Sequence, residues 1–179
     1  MKATGIVRRI DDLGRVVIPK EIRRTLRIKE GDPLEIFTDR EGEVIFKKYS
    51  PIGELGDFAV NFADSISRAV SAAVCITDKD TVIAVSGAPK KELFDRRISA
   101  ELEQVMEDKM PYSIKNSSKS IRVTDGQDKY NVGVAVPIIS EGDTIGSVVI
   151  CADDKNSVND SDLRVVQTAA NFLGKHMEQ

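Results

Sequence analysis

The feature that most constrains the fold is the brevity of every element that the first 50 residues can form. Runs rich in β-branched residues predict short strands at Gly5 to Ile10 and at Arg15 to Ile18, joined by a turn. Alternating apolar and polar residues predict two more strands, Leu34 to Asp39 and Glu43 to Tyr49, around a tight turn. The first 50 residues, called the head below, therefore contain two hairpins of short strands.

One short helix is predicted between the hairpins, which gives the head the order ββαββ. Pro19 suits the first position of a helix, and Ile22 and Leu26 lie four residues apart, on one helical face. A segment this small buries little apolar surface, and such domains usually depend on disulfides, metals or oligomerisation. The head has no cysteine and no set of metal ligands. We therefore expect it to dimerise, most simply by interleaving hairpins from two chains around a two-fold axis.

The net charge of −3 hides an asymmetry along the chain. Residues 1–50 sum to +3, and residues 51–179 sum to −6. The excess is greatest in residues 1–29, where nine basic and three acidic groups give +6. A basic head on an acidic body indicates a polyanionic partner for the head, and a solvated charged face is the alternative.

The basic residues of the head are the candidate DNA-binding site. If Ile22 and Leu26 point inward, the arginines between them must leave from the solvent side of the helix. A guanidinium group fits phosphate oxygens and the edge of guanine, because its planar fork donates two parallel hydrogen bonds. No aromatic residue is interleaved with these arginines, so double-stranded DNA is predicted rather than a single strand. The candidate set is Arg8, Arg9, Arg15, Lys20, Arg23 and Arg24.

The same residues carry a resemblance to a known family. The runs Thr4 to Pro19, Glu21 to Leu26, Leu34 to Phe37 and Ile45 to Tyr49 closely resemble AbrB-type transition-state regulators. That family forms a swapped-hairpin dimer. The resemblance implies that Arg8, Arg15, Arg23 and Arg24 contact DNA, and Arg9 matches a further basic position.

A second domain is predicted beyond a boundary at Ser50 to Gly53, where proline and glycine interrupt the patterns. We expect a linker at 51–55 and an α+β domain at 56–179, with a mainly antiparallel sheet and helices on one side. Strands are predicted at Val74 to Thr77, Thr81 to Val85, Ser120 to Val123, Asn131 to Ile139 and Thr144 to Cys151. Helices are predicted from Leu55 to Ala73, from Ile98 to Met106, and from a cap at Asp160 or Ser161 to Met177.

As a whole, the chain resembles two-domain members of the AbrB-type family that regulate late gene expression in the developing spore. The resemblance implies that residues 56–179 form a GAF-type sensor domain, a fold with an antiparallel sheet and flanking helices. The resemblance to GAF-type domains rests on the order of the predicted elements and on the run Tyr130 to Pro137, which is followed by the run Gly146 to Cys151. It also implies a tetramer, with an interface built from the first and last helices of that domain, and both activation and repression of forespore genes.

Several function classes are not indicated by the sequence. It contains no phosphate-binding glycine-rich loop, nucleophile elbow or HExxH motif, so an enzyme is not expected. Cys75 and Cys151 are isolated, and His176 has no neighbouring ligand set, so no metal site is expected. No apolar run is long enough for a membrane helix and no signal peptide is evident, so we expect a cytoplasmic protein without a membrane partner.

Two alternatives remain open at this point. An antitoxin that binds a partner protein is one, since related swapped hairpins occur in such proteins, although about 125 patterned residues follow the head here. A metabolite-gated switch is the other. GAF-type folds often enclose a pocket, and this pocket either takes an unidentified small molecule or is filled by side chains.

Overall fold

The computed structural model describes residues 5–117, 119–126, 129–152 and 158–178. The chain divides into two compact units, Met1–Tyr49 and Ser50–Gln179. The first unit corresponds to the head, and the second is called the body below. Each is described separately.

The head contains one helix and one hairpin. Helix α1 spans Lys20–Thr25. Strands β1 (Leu34–Thr38) and β2 (Val44–Lys48) pair in antiparallel register. Asp39 stabilises the turn between them, because its Oδ1 accepts hydrogen bonds of 2.9 Å from the amides of Glu41 and Glu43. The predicted second hairpin is thus present, and its strands are one residue shorter at the turn than predicted.

The first predicted hairpin does not form strands in the single chain. Residues 5–10 and 15–18 are not strands, and among the described residues they pair with no strand. Only their turn is closed, by hydrogen bonds of 3.0 Å from the amide of Asp11 to the carbonyl of Arg15 and from Gly14 to Asp11. A strand needs a neighbouring strand to satisfy its backbone groups, and no strand in the described ranges pairs with these segments.

The body is a five-stranded antiparallel sheet with helices on both faces. The strands are β3 (Val74–Thr77), β4 (Val82–Ser86), β5 (Tyr112–Ser113), β6 (Asn131–Ser140) and β7 (Asp143–Ala152), in the spatial order β4-β3-β7-β6-β5. The helices are α2 (Gly56–Val70), α3 (Lys90–Leu93), α4 (Ala100–Glu107) and α5 (Asp160–His176).

The two sheet faces build two separate apolar cores. On β3, Val74 and Ile76 face the core shared with α2 and α5. Cys75 between them faces the core shared with α3 and α4, because neighbouring strand residues point to opposite faces. The expectation of helices on one side only is therefore wrong: Leu102 and Met106 bring α4 onto the opposite face.

A β-bulge interrupts the regular alternation of side chains along strand β6. The register of β6 against β7 shifts between Val132 and Val134, so these two residues face opposite sides although they are two positions apart. Gly133 lies between them, where an added Cβ would approach Cγ2 of Val158 to 2.5 Å. The bulge thus shifts the alternation along β6, so that Val132 packs in the core of α3 and α4 and Val134 in the core of α2 and α5.

One side of strand β6 is mostly open. The two-residue strand β5 pairs with β6 only at Val134 and Ala135. Beyond Ala135, no strand in the described ranges pairs with β6 on that side. Pro137 lies in this stretch, opposite Ser147 of β7.

Several predicted boundaries need correction. Residues 51–55 are not a linker: Pro51–Leu55 forms a 3-10 helix whose Ile52 is fully buried in the body. The strand predicted at 120–123 is reduced to an isolated bridge between Arg122 and Asn131. The last helix is capped by Asn159 rather than by Asp160 or Ser161, through a capping box with Asp162. Helix α3 and strand β5 were not predicted, since elements of four and two residues leave no periodic pattern.

Candidate nucleic-acid interface

Helix α1 presents three of the predicted DNA-binding residues to solvent. Lys20, Arg23 and Arg24 lie within its six residues, and all three are exposed. The helix begins after the buried Pro19, whose φ of −57° suits a helix start. It ends before Arg27, which has a left-handed φ of 50°. The short helix therefore holds a compact basic surface at a defined place in the head.

Arg15 is held by the turn that precedes α1. Its Nε donates a hydrogen bond of 2.8 Å to Oδ2 of Asp11. The other carboxylate oxygen of Asp11 accepts from the amides of Arg15, at 2.8 Å, and of Leu13, at 3.0 Å. The hydrogen bonds from the backbone and then the side chain of Arg15 lower the pKa of Asp11, because they favour the charged carboxylate. One carboxylate thus closes the turn and orients an arginine.

The remaining candidates differ in how firmly they are placed. The Nε of Arg23 donates to the carbonyl of Ile18 at 3.2 Å, which leaves its terminal nitrogens for a ligand. Arg8 has only a 3.5 Å contact to the carbonyl of Val7. The side chains of Arg9, Lys20 and Arg24 form no hydrogen bond or ion pair with any residue in the described ranges. All six predicted residues are exposed, so they could all reach a ligand.

The head also exposes an unusual amount of apolar surface for a folded unit. Val7 is 84% exposed and Leu13 is 70% exposed. Leu26, which was predicted to point inward beside Ile22, is 52% exposed in the single chain. The other exposed apolar side chains are Ile6, Ile10, Val16, Val17, Ile36, Phe37, Val44, Phe46 and Tyr49. Contiguous surface of this kind marks an interaction site.

Four aromatic rings form a stacked group where α2 and α5 meet. Phe58 stacks on Phe62 at 5.7 Å between centroids and on His176 at 5.2 Å. Phe172 stacks on Phe62 at 5.4 Å and on His176 at 6.0 Å. Phe172 is half exposed, so the group, called the aromatic quartet below, remains open to solvent on one side. His176 is a surface histidine, as expected, and it belongs to this quartet.

The opposite face of the sheet is closed by packed side chains and by a small polar cluster. Leu93, Ile98 and Leu102 are fully buried there. Lys129 and the hydroxyl of Tyr130 donate to the carboxylate of Glu92 at 2.8 and 2.7 Å, joining α3 to the start of β6. These bonds lower the pKa of Glu92 and raise that of Lys129, because both stabilise the charged forms.

A cavity of about 410 Å³ lies beside this cluster. Its lining includes Arg68 and Ser71 from the end of α2, Lys129 and Tyr130, and the thiol-bearing Cys151 of β7. Within the described ranges, no group of three or more histidine, cysteine or acidic residues could hold a metal ion. None of the described helices has the length and apolarity needed to cross a membrane.

The body has the GAF fold and matches a sporulation regulator family. Residues 54–178 match the family model described as stage V sporulation protein T C-terminal, transcription factor. The GAF domain from Acinetobacter phosphoenolpyruvate-protein phosphotransferase superposes with a TM-score of 0.57 and 15% identity, covering 71% of this chain and 87% of that one. At this identity the superposition shows the fold alone.

The head matches a transition-state regulator and a family model of antitoxins. It is similar to the transition state regulatory protein AbrB of Bacillus subtilis (strain 168), with 65% identity over 51 residues, which are 28% of this chain and 52% of that protein. Residues 7–53 also match the family model described as antidote-toxin recognition MazE, bacterial antitoxin.

Together, an AbrB-type head with exposed arginines and a GAF-fold body define a transcription regulator rather than an enzyme. Stage V sporulation protein T of Bacillus subtilis (strain 168) is 54% identical to this chain over 183 aligned positions, and the alignment covers 100% of both chains. The chain belongs to the stage V sporulation protein T family.

Two features of the site were not predicted from the sequence. The role of Asp11 could have been inferred, because an aspartate at the start of a four-residue turn often accepts the following amides. The aromatic quartet could be predicted only in part: Phe58 and Phe62 lie four residues apart within the helix predicted from Leu55 to Ala73, but their contact with α5 depends on the fold.

Proposed function

We propose that this regulator binds double-stranded promoter DNA through an arginine surface contributed by two heads. The surface consists of Arg8, Arg9, Arg15, Lys20, Arg23 and Arg24 from each chain. The observation that carries the proposal is the exposure of all six cations, with the terminal nitrogens of Arg23 unused, in a head that is 65% identical to AbrB. Guanidinium groups suit both phosphates and guanine edges.

The dimer that the proposal requires is a swapped-hairpin dimer of residues 1–50. Within the part of the chain that the structure describes, no strand pairs with the segments 5–10 and 15–18, and they carry much of the exposed apolar surface of the head. In a dimer each chain supplies partners for these segments in the other. Their backbone groups are then paired and their apolar side chains are covered.

The test is a DNA-binding measurement on the full chain with paired arginine variants. Arg23→Ala/Arg24→Ala should lower affinity for promoter DNA by at least tenfold, since each lost contact costs about 1–3 kcal/mol. Arg96→Ala/Arg97→Ala is the matched control, because it removes two adjacent exposed arginines from the body. Equal affinities for both variants, with unchanged circular dichroism, would refute the assignment of the site.

The salt dependence of binding gives an independent check. Two heads that place about eight to ten cations on phosphates should give a slope of log K against log salt near −8. Removing one phosphate contact should reduce that slope by about 1. A slope near zero would show that the arginine surface does not lie along the duplex.

The body is proposed to join two dimers into a tetramer through α2 and α5. The aromatic quartet is half open to solvent on these helices, and a surface groove of about 500 Å³ runs beside it between Phe62 and Arg164. A second copy of the same helices would cover the rings with a self-complementary surface, as a two-fold interface requires.

The genes proposed as targets are late genes of the forespore, which would be activated or repressed. The full-length relative is a stage V sporulation protein, and this similarity is the support for the proposal. The protein would act in the cytoplasm of the forespore, on the nucleoid. Mapping bound sites across the genome during sporulation tests it: binding confined to genes of vegetative growth would contradict it.

A small-molecule effector is a second proposal, favoured by the polar cavity beside Arg68, Lys129 and Cys151. A molecule that binds only the folded protein raises its melting temperature as its concentration rises. A thermal-shift screen of amino acids and nucleotides that finds no stabiliser would favour a body that serves assembly only. The antitoxin alternative is supported by the match of the head alone, and it predicts that a small toxin co-purifies with the chain.

A further inference from the structure

Two cysteines that are far apart in the sequence meet in the core of the body. The Sγ atoms of Cys75 and Cys151 are 3.6 Å apart. The residues lie on the neighbouring strands β3 and β7, where Cys75 is opposite Val149 and the amide of Cys151 donates to the carbonyl of Ala73 at 2.8 Å. The thiols are therefore a diagonal cross-strand pair in van der Waals contact on the α4 face of the sheet.

The two thiols differ in how they can be reached. Cys75 is fully buried. Cys151 is 2% exposed, and it lines the cavity of about 410 Å³ together with Tyr130 and Lys129. A peroxide molecule is little larger than water, so a cavity of this size admits it. Only Cys151 can thus meet a small reagent from solvent while the sheet remains intact.

We propose that Cys151 and Cys75 form a reversible disulfide in response to hydrogen peroxide. The thiolate of Cys151 attacks one peroxide oxygen: the O–O bond breaks, an S–O bond forms, and hydroxide leaves. The thiol of Cys75 then attacks the sulfenic sulfur of Cys151. The S–S bond forms, the S–O bond breaks, and the sulfenic oxygen leaves as water with the proton of Cys75.

The order of these steps follows from burial and contact. Cys75 is fully buried, and its hydrogen bond with Cys151 and its burial raise its pKa, which disfavours its reactive thiolate. It is nevertheless the nearest thiol to a sulfenic acid on Cys151, which suits it as the resolving cysteine. Reduction by a small dithiol reverses the reaction by thiol–disulfide exchange.

The register of the two strands favours a disulfide that is easily reduced. Diagonal partners on neighbouring strands are farther apart than directly opposite residues, so closing the remaining gap requires a shift between β3 and β7. Disulfides that need such a shift are more easily reduced, which is typical of regulatory rather than structural disulfides. Proteins of reducing compartments use disulfides in this transient way.

The experiment treats the folded full chain with hydrogen peroxide, alkylates the remaining thiols after denaturation, and measures the intact mass. We expect a loss of two hydrogen atoms, no alkylation, and full recovery of both thiols after reduction. A non-reducing gel should show the monomer. Over-oxidation of either cysteine without the bond, bonding between chains, or no reaction of the folded protein would each overturn the proposal.

Single substitutions distinguish the cysteine that reacts with peroxide from the resolving cysteine. In Cys75→Ser, Cys151 should still react with peroxide and give a sulfenic acid that dimedone traps. In Cys151→Ser, Cys75 should resist both peroxide and dimedone at the same concentration. The reverse pattern would overturn the assigned order. If either variant fails to fold, tryptic mapping of the wild-type protein after brief peroxide treatment and dimedone identifies the first oxidised cysteine.

Discussion

The Nε of Arg15 lies 2.8 Å from Oδ2 of Asp11, and the same carboxylate accepts the amide of Arg15 through its other oxygen. Asp11 thus fixes both the backbone and the side chain of an arginine that we assign to the DNA-binding surface. The acidic residue is therefore part of a site that otherwise carries only positive charge. Asp11 contributes by orienting Arg15. This effect can be separated experimentally from the effect of its negative charge, because a second aspartate, Asp12, lies in the same turn and serves as a comparison.

Asp11→Ala should weaken DNA binding more than Asp12→Ala does. Both variants remove one negative charge from the same turn, so the general electrostatic effect is shared. Only Asp11→Ala releases Arg15 and the amide of Leu13. The difference, measured as the ratio of dissociation constants, should be several-fold, because the Asp11–Arg15 ion pair is solvent-exposed and such pairs contribute little energy. Equal affinities would show that the orientation of Arg15 does not matter.

The acid response of the turn follows from the lowered pKa of Asp11, whose ordinary value is 3.8. Because the folded turn favours the carboxylate, its contribution to stability is fully present above pH 3.8 and is lost as the pH falls through the lowered pKa. A carbon-detected NMR titration of the Asp11 carboxyl group should give a midpoint below 3.8. In Arg15→Ala the midpoint should move back towards that value, and no movement would contradict the role of the arginine side chain.

Thr77 and Ser147 should show strong energetic coupling. Their hydroxyl oxygens are 2.7 Å apart, and both residues are fully buried between β3 and β7. Thr77→Val or Ser147→Ala alone leaves one buried hydroxyl without its partner, at a cost of about 1–3 kcal/mol. The double variant leaves no unpaired hydroxyl, so it should lower the free energy of unfolding by less than the sum of the two single variants. Urea denaturation of the four proteins measures the coupling, and strict additivity would refute it.

Gly174→Ala should destabilise the body, although alanine favours helices by about 1 kcal/mol over glycine. An added Cβ would overlap the carbonyl oxygen of Ile139, because α5 passes directly over β6 at this point. Overpacking of this kind costs about 1–3 kcal/mol. Asn171→Ala on the exposed side of the same helix is the control and should be neutral or slightly stabilising. Denaturation followed by circular dichroism measures both variants.

Phe172→Glu should convert the proposed tetramer to a dimer. Phe172 is the half-exposed member of the aromatic quartet, and a carboxylate in its place would have to lose its hydration in the proposed interface. Asn171→Glu adds the same charge at a neighbouring exposed position and should leave the tetramer intact. Light scattering coupled to size-exclusion chromatography gives the masses. A Phe172→Glu protein that remains tetrameric would place the interface elsewhere.

Sequence patterns identified the head well wherever its elements are local. Helix α1 and the hairpin of β1 and β2 were predicted because their turns and periodicity lie within a few residues. The segments 5–10 and 15–18 show the limit: their β-branched composition indicates strands, but a strand exists only where a partner lies beside it. Val7 and Leu26 show the same limit, because their apolar character predicts burial but they are 84% and 52% exposed in the single chain.

In the body, the sequence predicted most elements but not their arrangement. The strands at 74–77 and 131–139 and the helix ending near Met177 follow from periodicity. The placement of α4 on the opposite face and the bulge at Gly133 depend on contacts between distant segments. The contact between Cys75 and Cys151 is of the same kind, because the two residues are 76 positions apart and meet only when β3 and β7 pair.

Pro137 has a consequence for how copies of this protein can associate. It lies on the stretch of β6 that β5 does not cover. Proline offers no amide hydrogen, and a sheet margin that carries it is a poor template for another extended chain. An incoming polypeptide would therefore find no amide donor at this position of β6.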